Sequence, residues 1–102
     1  MDVFDIYIAR HTWRGCSDRR WWLIVDFPPN GLVGCFPIAT ECYDGRCFPV
    51  HASHPDFPAT GLSHSSNIHD EKIIELEGNS ILKFKGRLQG QLLAEFRRYS
   101  GI

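Results

Sequence analysis

Trp21-Trp22-Leu23-Ile24-Val25 is followed by Pro28-Pro29-Asn30-Gly31 and then by Leu32-Val33-Gly34-Cys35-Phe36-Pro37-Ile38. The first run is short, continuous, apolar and rich in aromatic and β-branched residues, which predicts a strand buried on both faces. Asn-Gly is a strong hairpin signal, because both residues reach the left-handed conformations that tight turns need. Leu32 to Ile38 is then the returning strand. Proline cannot donate to a ladder, so Pro37 is expected at the end of that strand or on an edge.

Upstream of this hairpin, Val3 to Ala9 alternates. Phe4, Ile6 and Ile8 share one face and Asp5 and Tyr7 the other, as in a half-buried strand. His11 to Arg19 is polar, contains Gly15 and Ser17, and reads as a loop. Downstream, Asp44-Gly45 marks another tight turn between Cys42-Tyr43 and Cys47-Phe48, suggesting a second small hairpin. His51 to Ser66 is rich in Pro, Ser, His and Gly, with only Phe57 and Leu62 as large apolar residues. It predicts a long irregular loop, a kind of segment that often carries function. Lys72 to Leu76 is a further strand candidate. From Arg87 the period changes: Leu88, Leu92, Phe96 and Tyr99 recur at helical spacing. Arg97 and Arg98 suit the negative end of that helix, and Gly101 suits its cap. Several antiparallel strands followed by one helix predict a mainly β, α+β fold. The expected form is a single domain over residues 1–102, a small bent barrel closed by the helix.

Of the 102 residues 43% are hydrophobic, enough for one core, and 23% are charged, which excludes a disordered chain. No apolar run approaches the ~18 residues of a membrane span. Acids at Asp2 and Asp5 stand where a signal peptide carries basic residues, so cytoplasmic residence with no membrane association is expected. The net charge of −1 excludes a globally basic nucleic-acid binder. The cations are clustered, however: Arg10, His11, Arg14, Arg19 and Arg20 are opposed only by Asp18, and Lys83, Lys85 and Arg87 form a second group. Acids gather at Asp70, Glu71, Glu75 and Glu77. A local basic patch either holds phosphates or simply solubilises a loop.

Cys16, Cys35, Cys42 and Cys47 allow three pairings into two disulfides. Without a secretion signal, reduced thiols are expected, with Cys35 as a small core residue. Cys42, Cys47, His51 and His54 are zinc-type ligands, at a spacing that departs from the common zinc-finger pattern. They form an alternative reading as a metal site.

From Phe57 to Ile102 the chain resembles the PemK/MazF family. The carriers are Ala59-Thr60-Gly61-Leu62, Ser66-Asn67-Ile68, Glu71-Lys72-Ile73-Ile74-Glu75-Leu76, Gly86-Arg87-Leu88 and Leu92-Leu93. Upstream, Asp5-Ile6-Tyr7 is similar to the family's first strand, Arg20 before Trp21 to its Arg-Pro opening of strand two, and Phe36-Pro37-Ile38-Ala39-Thr40 to its Pro-Ile-Thr-Thr segment. The resemblance implies a small SH3-like antiparallel barrel of the PemK/MazF/CcdB type, a homodimer, and a toxin-type endoribonuclease acting on single-stranded RNA without a cofactor. It also implies a cognate antitoxin whose tail fills the RNA groove. Members of the CcdB branch poison gyrase instead, so fold alone does not fix the target.

Metal-free RNA cleavage needs a base for the 2′-hydroxyl, an acid for the departing 5′-oxygen, and cations for the phosphorane between them. By resemblance Arg20 is the catalytic arginine, with the adjacent Arg19, aimed to the opposite strand face, as the alternative. Glu71 matches the family acid, Asp70 competes with it, and His69 stands where some members carry an arginine. Thr40 matches the second threonine of the family pair, and Ala39 replaces the first. Trp21 replaces the proline after Arg20, as a stacking face for a base, a core residue or a dimer contact. Arg14, Arg19, Ser65, Ser66 and Asp70 complete the expected RNA-binding set, the serines having turn formation as the alternative.

Overall fold

The computed structural model describes residues 1–16, 19–43 and 45–102. Ser17 of the predicted loop, its acid Asp18, and Asp44 of the predicted second hairpin lie outside the described residues. The hairpin between residues 21 and 38 forms the middle of a sheet. Its strands are β2, Arg19–Asp26, and β3, Val33–Ala39. Their turn closes at Asn30-Gly31 with Gly31 alone, and not Asn30, in the left-handed region: Gly31 adopts φ 84° and donates its N–H to the Pro28 carbonyl, while Asn30 Oδ1 accepts from the Leu32 N–H at 3.0 Å. β1, Asp5–Arg10, lies on the outer side of β2.

Four further strands and a helix complete the fold. These are β4 (Phe48–Val50), β5 (Ser66–Ile68), β6 (Ile74–Leu76), β7 (Ile81–Arg87) and α1 (Gly90–Ser100). Every pairing is antiparallel and the order is β4-β5-β3-β2-β1-β7, with β6 also on β3. The ladder is open, ending at β4 and β7. β7 was not anticipated. Its Leu82, Lys83 and Phe84 are all exposed, so this edge strand shows neither the alternation of a half-buried strand nor the run of a buried one. It also moves the start of the helix from the expected Arg87 to Gly90. Cys42 and Cys47 close a covalent loop rather than a strand hairpin, and Phe48–Val50 pairs instead with β5.

β3 meets β5 at Ile38 and Ala39 and β6 from Val33 to Cys35. Pro37 is therefore mid-strand and not at an end or an outer edge. The carbonyl of Pro37 accepts the His69 N–H at 2.9 Å. A strand residue's N–H and C=O point to the same side. The missing N–H thus falls in the break between β5 and β6, where no ladder bond is lost.

Both faces of the central strands are covered. On one face, Ile6, Leu23, Phe36 and Ile38 pack with Leu92 and Phe96 of α1. The Phe96 ring is fully buried and meets Phe4, Phe36 and Phe48 edge-on at 6.4, 6.3 and 5.3 Å. On the other face, Ala9, Trp22, Ile24, Cys35 and Leu76 form a smaller cluster. Trp22 is core, and Trp21, half-buried, packs against the first cluster. The Asp56 carboxylate reaches the start of α1 and accepts the Leu92 N–H at 3.2 Å. Gly101 caps the far end at φ 78°. The expected long loop contains a 3-10 turn, Phe57–Thr60, with Phe57 and Thr60 buried. That turn lies directly on β7. A Cβ on Gly86 would stand 2.3 Å from the Ala59 carbonyl oxygen, and one on Gly61 would stand 2.2 Å from that of Lys85.

Among the described residues, no helix is long and apolar enough to cross a membrane.

Candidate functional site

β2 aims alternate side chains to opposite faces, which separates Arg20 from Arg19 and from Trp21. Arg20 joins the face of Trp22. There its guanidinium carbon lies 4.8 Å from the centre of the Trp13 ring. Trp13 comes from a tight turn, in which its backbone exchanges hydrogen bonds with Cys16 at 2.8 and 3.0 Å. Arg14 at the tip of that turn holds φ 52° and lies 4.8 Å from the Tyr43 ring centre. Such contacts are worth about 0.5–2 kcal/mol each. Tyr43 sits inside the loop that the Cys42–Cys47 disulfide closes.

His69 is the floor of this cluster. It is 2% exposed, its ring meets Trp13 edge-on at 4.8 Å, and it stacks on Tyr43 at 5.7 Å. Its Nε2 accepts the Tyr43 N–H at 3.3 Å, which places the proton of the neutral ring on Nδ1. Asp70 beside it is buried and faces Arg46 at 3.7 Å. Asp70 Oδ1 and Arg20 Nε are both buried without a hydrogen-bond partner among the described residues. Buried polar atoms are ordinarily satisfied, so an unmatched charged donor marks a place for a ligand.

Two depressions meet at Trp13. A groove of about 330 Å³ is lined by Trp13, Arg14, Cys16, Arg20 and Tyr43. A smaller one of about 40 Å³ is lined by Trp13, Pro37, His69, Glu71, Lys72 and Ile74. Glu71 is exposed at its rim. Four expected residues, Arg14, Arg20, His69 and Glu71, are thus brought around one indole.

The other expected residues lie elsewhere. Thr40, Ala39, Trp21 and Ser66 line a separate cleft of about 100 Å³, with Leu62 and His64. Trp21 is partly covered there by Lys85, whose ammonium is 5.0 Å from the ring centre. Thr40 is exposed and its carbonyl accepts from Asn67 Nδ2. Ser65 Oγ accepts the Ala52 N–H at 2.8 Å, and Ser66 Oγ donates to the His64 carbonyl at 2.9 Å. Both serines therefore fasten their loop. Arg19 is exposed at the start of β2, opposite Arg10 in the ladder.

The Cys42, Cys47, His51, His54 set is not assembled. The two cysteines are joined in a disulfide, against the expectation of reduced thiols; their Cα atoms are 6.0 Å apart, within the range that a disulfide bridges. His54 Nδ1 accepts the Asp56 N–H at 3.0 Å, leaving Nε2 to donate to Glu95 of α1 at 3.2 Å. Trp13, Tyr43 and Arg46 were not anticipated as site residues. Trp13 did carry a signal, a large aromatic alone in a polar, arginine-bearing loop.

No protein-family model matches the chain, and a search of curated proteins finds no match for it.

Proposed function

We propose that this protein binds single-stranded RNA in the groove at Trp13 and cleaves it as a metal-independent endoribonuclease of the PemK/MazF toxin type, held inactive by an antitoxin. The fold reading that goes with it is the small SH3-like barrel of that family, built from the bent antiparallel sheet. The observation that carries the proposal is Arg20 over the Trp13 ring, its Nε buried and unmatched, in a groove flanked by Arg14 and Tyr43. Stacked guanidinium groups offer a planar cationic surface to bases and a fork to phosphate oxygens.

In the reaction, Glu71 at the rim accepts the 2′-hydroxyl proton as that oxygen attacks the adjacent phosphorus. Arg20 and Arg14 hold the charge of the phosphorane. The 5′-oxygen departs with a proton taken from solvent water, leaving a 2′,3′-cyclic phosphate and a 5′-hydroxyl. His69 acts as a positioning residue, since its ring is buried and engaged by Tyr43.

A second reading, binding without cleavage, is favoured by one observation. Thr40, and the Ala39 that replaces the family's first threonine, line a cleft other than that of Arg20. Incubation of purified protein with mixed-sequence single-stranded RNA in EDTA decides between them. Discrete fragments ending in 2′,3′-cyclic phosphate, absent with Arg20→Ala, are the expected result. Intact RNA that is retained by the protein, and released by Arg20→Ala, overturns cleavage and leaves the binding module. Intact RNA that is not retained overturns both.

A further inference from the structure

Cys42 and Cys47 stand beside His69, and one ligand atom from each of the three lies within 4.8 Å of the others. Tetrahedral zinc with bonds of about 2.0–2.3 Å holds its donors roughly 3.5–4 Å apart, so once reduction lets the two sulfurs separate, an approach of about 1 Å by the imidazole brings this trio to bonding distance. The histidine is pre-set for such a role. Its backbone N–H is fixed to Pro37, its ring is wedged between Trp13 and Tyr43, and its proton lies on Nδ1. The nitrogen bearing the lone pair is Nε2, which accepts the Tyr43 N–H at 3.3 Å, a bond that the metal ion would replace. Cys42 is exposed, so a reductant reaches the disulfide from solvent.

We propose that Cys42, Cys47 and His69 form a zinc-class metal site that becomes available when the disulfide is reduced. A dithiol, which supplies two electrons and two protons and becomes a disulfide, converts the S–S bond into two thiols; a phosphine supplies the two electrons and becomes its oxide, the oxygen and both protons coming from water. The divalent ion then binds both sulfurs as thiolates and the imidazole nitrogen, releasing the two thiol protons. Three protein ligands leave a fourth tetrahedral position to water or a solution ligand. The oxidised form holds no metal there, because a disulfide sulfur is not a thiolate. This site differs from the one expected on Cys42, Cys47, His51 and His54, and it does not depend on the RNA reading.

Cobalt(II), which takes zinc sites and absorbs light, is the probe. Reduced wild-type protein is expected to bind about one equivalent with thiolate-to-cobalt charge-transfer absorption, and oxidised protein to show none. Cys42→Ser abolishes that absorption. His69→Gln weakens binding on the order of a hundredfold, about one ligand's quarter share of the binding free energy of a structural zinc site. Cys35→Ala, at the thiol buried in the core, leaves binding unchanged. Circular dichroism of each variant reports folding, and if His69→Gln does not fold, the exposed Cys42→Ser carries the test. Reduced wild type without the charge-transfer band overturns the proposal. So does a Cys42→Ser variant that keeps the band, or a folded His69→Gln variant that binds as tightly as wild type.

Discussion

Gly86→Ala adds one methyl group at the tightest backbone contact described above. Gly86 does not adopt a positive φ, so alanine suffers no backbone strain there and only the contact matters. The new carbon would lie 2.3 Å from the Ala59 oxygen and 2.5 Å from both the Thr60 carbon and the Thr60 oxygen. All three are backbone atoms, so no side chain can swing aside. Restoring ordinary contact requires the 3-10 turn and β7 to part by about 1 Å. That loosens Phe57 and Thr60, which are buried beneath the turn. The cost is expected at or above the ~3 kcal/mol upper end for overpacking. For a domain of this length it lowers Tm by about 12–24 °C. Thermal unfolding followed by circular dichroism measures it, with Gly78→Ala as control, since a Cβ there meets nothing within 4 Å. The control is expected within about 0.5 kcal/mol of wild type. A Gly86→Ala protein that melts within about 4 °C of wild type would show that the seam is not rigid, and the reasoning would fail.

Three further outcomes are expected. Asp56→Ala removes the acceptor for the Leu92 N–H and a negative charge at the start of α1, costing about 1 kcal/mol in denaturant unfolding. Tyr43→Ala removes the ring that supports Arg14, and is expected to weaken single-stranded RNA binding by about 1–3 kcal/mol in a fluorescence titration at fixed salt. Burial pushes the Cys35 thiol from an ordinary 9.0 up to about 12. The folded chain therefore keeps that proton where the unfolded chain has lost it. The stability from this group is fully present below about pH 9 and is lost as pH rises toward about 12, by roughly 1.4 kcal/mol per pH unit. Denaturant unfolding of wild type and Cys35→Ala across that range measures it, and the variant is expected to show the shallower decline.

The centre of the fold was legible because its signals were local. Trp21 to Val25 had to be buried on both faces, and Asn30-Gly31 had to turn. The Leu92 and Phe96 stripe could only be a helix lying on something apolar. What was hidden depended on partners distant in sequence. β7 looks polar because an edge strand needs hydrogen bonds more than burial, and its partner β1 lies at the other end of the sheet's sequence. Pro37 is tolerated mid-strand only because two short strands leave a break beside it. In the site, Arg20, Glu71 and His69 were singled out by sequence, and the fold brings them to Trp13. Trp13 itself and Tyr43 were missed, because a ring's role as a platform appears only when another group lies on it. Thr40 and Trp21 were expected in the same site but line a separate cleft, Trp21 because the two-residue strand period sends it to the face opposite Arg20.

β1 pairs with β7, Asp5 facing Arg87 across the ladder, so the first strand's outer partner is synthesised long after it. At about 5–20 residues per second, the roughly eighty residues between them take on the order of ten seconds to make. Throughout that interval the nascent chain can form the β2–β3 hairpin, but it carries β1 with one ladder unfilled. A strand left waiting with open hydrogen-bond groups is a template for other chains. The stretch of time before β7 emerges is thus when this protein is most exposed to aggregation and to chaperone capture, and a slowed translation of residues 81–87 would lengthen it.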